Sequence, residues 1–102
     1  MMRIEILYVP GCPHYQPAVE RVRAALESES LQAEIHSIPI NTEGQAKAML
    51  FPGSPTIRIN GEDVEPTLTT VPSLSCRLYA NRSGVPSDKL LRIAISNAKQ
   101  RE

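Results

Sequence analysis

Residues 3–17 read RIEILYVPGCPHYQP. From Arg3 to Val9, alternation is mixed with β-branched and aromatic side chains, and the run stops at Pro10-Gly11. A strand buried in a sheet is bounded in this way. The chain turns at Gly11 and sets Cys12 against Pro13, where a different period begins. Val19, Val22, Ala25 and Leu26 recur at helical spacing, with Glu20, Arg21, Arg23 and Glu27 on the opposite side, so an amphipathic helix runs to about Ser30. Its start is open between two prolines. From Pro13, Pro17 falls past the first turn, removes a backbone bond and kinks the helix. From Pro17, Cys12 stays in a loop ahead of the helix and gains less from its dipole.

Outward from this unit, residues 31–40 (LQAEIHSIPI) set Ala33, Ile35 and Ser37 against Glu34, His36 and Ile38, a second strand that ends near Pro39. Residues 42–50 (TEGQAKAML) offer a Thr cap, an acidic first turn and a helix-forming tail. SPTIRIN (54–60) is a third strand, Asn60-Gly61 a hairpin turn, and EDVEP (62–66) the return. Residues 66–86 carry no clear period, and a last helix opens near Ser87 with Leu90, Leu91, Ala94, Ile95 and Ala98 as its apolar stripe. Strands joined through a helix lie parallel with a right-handed crossover, and the hairpin adds an antiparallel edge. The expected fold is α/β: a mixed four-stranded sheet, β-α-β-α-β-β-α, with flanking helices.

The 102 residues suffice for one compact domain, 1–102. Eleven basic residues balance eleven acidic ones, so no broad field draws the chain to nucleic acid or to an anionic membrane. One phenylalanine and three tyrosines leave little to stack on bases. No segment approaches the ~20 apolar residues of a membrane span. The amino terminus enters a strand pattern with no small-residue cleavage site, so cytoplasmic residence with reduced thiols is the expectation.

The motifs GCPHY (11–15), GSPTIRINGEDVEP (53–66), SCRLY (75–79) and GVPSDKLLRIAI (84–95) resemble, over nearly the full length, small bacterial proteins of the thioredoxin/glutaredoxin-like superfamily. Some of those are labelled alkylmercury-lyase-related. The resemblance implies a thioredoxin-like fold and thiol-disulfide exchange, with GCPHY where that superfamily carries Cys-x-x-Cys. Here Tyr15 stands in the place of the second cysteine. The resemblance also implies that Pro55 is a cis-proline abutting the reactive cysteine, and that Ser54 offers its backbone to an extended substrate. Such docking is β-augmentation.

The residues support this chemistry to different degrees. A cysteine at the amino end of a helix meets unpaired N–H groups and the positive end of the dipole, which favour thiolate over thiol. That makes Cys12 the candidate nucleophile, against the alternative of a small buried hydrophobe. Pro13 suits a first helical turn. His14 can raise the local positive potential or shuttle a proton, or simply fill an exposed position. Tyr15 reads as packing. With no resolving thiol in the motif, Cys12 needs Cys76 or an external thiol such as glutathione. Cys76, flanked by Leu74, Leu78 and Tyr79, is alternatively a buried apolar residue. The same two thiolates would suit linear capture of a soft ion such as Hg²⁺ or Cu⁺. A third possibility is a redox-inert module that keeps only the peptide-docking edge. Glu62, Asp63 and Glu65 read as charges that keep the hairpin edge soluble. A tetrahedral zinc site, a phosphate loop and a bound cofactor are not expected.

Overall fold

A computed structural model describes residues 2–66 and 71–102. The elements follow in the order β1 (Met2–Tyr8), α1 (Tyr15–Ser28), β2 (Ala33–Pro39), α2 (Glu43–Ala48), β3 (Thr56–Ile59), β4 (Glu62–Asp63) and α3 (Asp88–Arg101). The strands form one mixed sheet in the order β2-β1-β3-β4. β1 is parallel to β2, with Ile4 opposite Ile35, and antiparallel to β3, with Ile4 opposite Ile59 and Ile6 opposite Ile57. The hairpin between β3 and β4 turns at Asn60 and Gly61, whose φ values of +51° and +87° are the left-handed pair of a type I′ turn.

The period of two sorts the strands onto two faces. Ile4, Ile6, Ile57 and Ile59 point to the side covered by α1 and α3, where Val19, Val22, Leu26, Leu91 and Ile95 complete the larger core. Leu7 points the other way, to a smaller cluster with Ile40, Ala46 and Phe51 under α2. That helix has only six residues, so it covers one end of its face. The rest of that face carries Arg3, Glu5, Glu34 and His36, with Arg3 3.5 Å from Glu5 and His36 3.4 Å from Glu34. A cation closes the far end of the short helix: Arg58 Nη2 donates to the Met49 carbonyl at 2.7 Å.

The second strand alternates as its sequence suggests: Ala33 and Ile35 join the larger core, while Glu34, His36 and Ile38 take the other face. There Ile38, opposite Leu7, packs into the smaller cluster; Ser37 is exposed. Among the described residues no helix is long and apolar enough to cross a membrane.

Candidate functional site at the β1–α1 turn

The helix α1 starts between the two prolines that the sequence offered. Tyr15 is its first residue and His14 its cap, with no side chain bonding the cap and no acidic residue in the first turn. Pro17 is then the third helical residue, where its missing N–H would have had no intrahelical partner. The first helical bond runs from the Ala18 N–H to the His14 carbonyl at 3.1 Å.

Cys12 sits ahead of this start. Its N–H donates to the Val9 carbonyl at 3.0 Å, and its own carbonyl accepts from the Tyr15 N–H at 3.2 Å. Gly11, at φ +88°, makes the turn that brings it there. Of the first-turn donors that could face the sulfur, Tyr15's is thus engaged and Pro17 has none. Cys12 is half-buried and free, and Cys76 is exposed and free.

The flanking residues are fixed by packing. Tyr15 stacks on Tyr8 with ring centroids 3.9 Å apart, and its hydroxyl donates to Ser37 Oγ at 2.7 Å. Its position in the motif is therefore occupied by a side chain that ties α1 to β1 and β2. Pro13 is exposed, whereas His14 is half-buried. The imidazole lies over Gly84, where an added Cβ would come within 2.6 Å of its Cγ.

The Ser54–Pro55 peptide is cis. Val9 N–H donates to Ser54 Oγ at 3.0 Å, and the Cys12 turn hangs on that same Val9, so the two sequence motifs meet at one end of the sheet. The sequence expectation was an open docking edge at this point. Instead, Ser54 is 1% exposed and Pro55 is fully buried. Residues 75–77 lie beside Ser54 as a parallel bridge: Ser54 N–H donates to the Ser75 carbonyl at 2.9 Å, and Arg77 N–H donates to the Ser54 carbonyl at 2.8 Å. Gly53 permits the approach, since a Cβ there would stand 3.1 Å from both the Ser75 carbonyl and the Arg77 side chain.

Arg77 anchors this strap. It is 6% exposed. Its guanidinium bonds Asp63 in a fork, Nη1 to Oδ2 at 2.7 Å and Nη2 to Oδ1 at 3.0 Å. It also reaches the Glu65 carbonyl at 2.6 Å and Thr56 Oγ1 at 3.2 Å, and lies 4.3 Å from the Tyr79 ring centroid. Burial pulls the Arg77 pKa down, but the Asp63 hydrogen bond and the charges around it outweigh burial and leave the pKa raised. Tyr79 donates to the Pro55 carbonyl at 2.7 Å, and burial raises its phenol pKa against the opposing pull of Arg77. Sequence reasoning missed this network because it treated the hairpin acids as solvated edge charges. Asp63 instead holds Arg77, Glu65 accepts from the Ala80 N–H at 3.0 Å, and Glu62 pairs with Arg101 at 2.6 Å.

The chain matches no protein-family model and no curated protein sequence.

Proposed function

We propose that this is a thioredoxin-like, cytoplasmic thiol-disulfide exchange protein in which Cys12 is the nucleophile. The observation that carries the reading is the meeting of two free, accessible thiols with one buried junction. Cys12 hangs on Val9, Val9 is bonded to Ser54, and Cys76 lies directly opposite Ser54.

In the first step the Cys12 thiolate attacks one sulfur of a disulfide RS–SR. The S–S bond breaks, a Cys12–SR bond forms, and RS⁻ leaves with the electron pair and takes a proton from solvent. In the second step a thiolate attacks the mixed disulfide and releases the bound RS group. Cys76 in the strap is the internal candidate, which would leave a Cys12–Cys76 disulfide for an external thiol to reduce. A small thiol such as glutathione, acting directly, regenerates free Cys12 and carries the RS group away as a new disulfide. Tyr15, committed to Tyr8 and Ser37, takes no part in either step.

Steady-state reduction of a small disulfide with glutathione as reductant tests the proposal. Turnover is expected in wild type and lost in Cys12→Ser, and Cys76→Ser reports which thiol resolves. Equal turnover in wild type and Cys12→Ser would overturn it. One-to-one uptake of Hg²⁺ or Cu⁺ abolished by either substitution, with no disulfide reduction, would assign the same two thiols to soft-metal capture instead. An inert peptide-docking module is disfavoured by the covered state of Ser54 and Pro55.

A further inference from the structure

Ser54 would be a template for an incoming chain if its main-chain groups were free, because an extended residue at a sheet edge presents an N–H and a C=O in the same direction. Both groups are taken by the chain's own strap, at 2.9 and 2.8 Å. An external peptide can pair there only by displacing residues 75–77. The strap is not held by those two bonds alone. Arg77, one residue beyond Cys76, is anchored on Asp63, Thr56 and the Glu65 carbonyl, and Tyr79 is tied to the Pro55 carbonyl. Pulling the strap away exposes a guanidinium fork whose partners stay behind in the hairpin, a much greater loss than an exposed ion pair. The side chains also alternate along the strap: Arg77 and Tyr79 point in, while Cys76 and Leu78 are exposed. The thiol is therefore presented outward from a segment that is itself locked down.

We infer that Arg77 is a positioning residue that latches the 75–77 strap over Ser54, closing that edge to extended peptides and presenting Cys76 there. The inference builds on the proposed exchange function, and it narrows the disulfides that Cys12 accepts to those that need no main-chain pairing at Ser54. Peptide disulfides gain nothing from being extended while the latch is shut. Release of the latch turns the same edge into a pairing site.

The test compares two probes with one leaving group. One is a short extended peptide whose central cysteine carries thionitrobenzoate, and the other is the cysteamine–thionitrobenzoate disulfide. In each, the Cys12 thiolate forms a disulfide with the cysteine or cysteamine sulfur, and thionitrobenzoate leaves as the coloured anion, so one turnover is read without a resolving thiol. A Cys76→Ser background confines the reaction to Cys12. The peptide is expected to react no faster than the small probe. In Arg77→Leu the peptide-to-small ratio is expected to rise about tenfold, the worth of one to two main-chain hydrogen bonds. Asp63→Asn, which leaves the Thr56 and Glu65 contacts of Arg77 in place, should give a smaller rise.

A preference for the peptide before any latch substitution would overturn the inference, as would a parallel fall of both rates in Arg77→Leu, the signature of a purely structural residue. If Cys12 reacts with neither probe, the exchange function fails and the latch is judged by amide hydrogen exchange. Slow exchange at Ser54 and Arg77 in wild type that becomes fast at Ser54 in Asp63→Asn supports closure. Fast exchange at both sites in wild type refutes it.

Discussion

Removing Asp63 tests the anchoring network most sharply. The Arg77 side chain is 5% exposed and the Asp63 side chain 17%, so their ion pair is far from the solvated surface case. Asp63→Ala deletes two of the guanidinium's hydrogen bonds and leaves a buried cation with Thr56, the Glu65 carbonyl and the Tyr79 ring as partners. Breaking a buried pair from one side costs about 3–5 kcal/mol, because the remaining charge is uncompensated. A domain of this size has roughly 5–15 kcal/mol of stability in total. At about 4–8 °C per kcal/mol, the loss corresponds to a fall in Tm of at least ~12 °C. The double variant Asp63→Ala/Arg77→Leu removes the orphaned charge as well as the carboxylate, and should be more stable than Asp63→Ala alone. Urea unfolding of wild type, both single variants and the double variant measures this, with an unchanged m-value showing that the unfolded state has not moved. A cost for Asp63→Ala below about 1 kcal/mol, the range of exposed pairs, would refute the reasoning. Simple additivity in the cycle would refute it equally.

Two further outcomes follow from the same neighbourhood. Tyr79 is 2% exposed and its pKa in the fold is raised above the ordinary 10.0. The folded state therefore keeps a proton that the unfolded chain releases. This contribution is fully present below pH 10 and is lost as pH climbs from there toward the folded pKa, at up to about 1.4 kcal/mol per pH unit. Urea titrations between pH 9 and 11 should show that slope in wild type and a reduced one in Tyr79→Phe; identical slopes would contradict it. Gly84→Ala places a methyl 2.6 Å from His14 Cγ, which forces the ring or the 83–85 segment to shift at a cost of about 1–3 kcal/mol. Adding His14→Ala should recover most of that loss in urea unfolding, and no recovery would mean that the two residues do not meet.

The sequence made the sheet legible where burial and hydropathy agree. Ile4, Ile6, Ile57 and Ile59 alternate with polar neighbours, and Asn60-Gly61 supplies the left-handed pair of its turn. Thr42 also serves as expected, its hydroxyl accepting from the Gln45 N–H at 3.1 Å. The start of α1 was ambiguous because either proline satisfies the rule for a first turn, and the fold uses a point between them. The strap was illegible for a stronger reason: its hydropathy runs against its burial. Leu78 is 68% exposed while Arg77 is 6% exposed, so a reader sorting apolar residues inward turns this segment the wrong way round. The partners of Arg77 explain its burial, and the chief of them, the half-buried Asp63, lies inside a cluster that looked like an ordinary solvated edge. For Cys76 the sequence leaves two readings open, a partner thiol for Cys12 or a buried apolar residue, and alternation about Arg77 turns it outward, against the second.

The most direct measurement is the order in which the two cysteines of the reduced wild-type chain are modified by limiting iodoacetamide at neutral pH, located by peptide mass mapping. Exposure alone ranks Cys76 first, since it is exposed and Cys12 is half-buried. A nucleophilic Cys12 reverses that order, and labelling is expected there before Cys76. Labelling of Cys76 first, with Cys12 lagging according to its burial, would contradict the assignment of residue 12 as the reacting thiol.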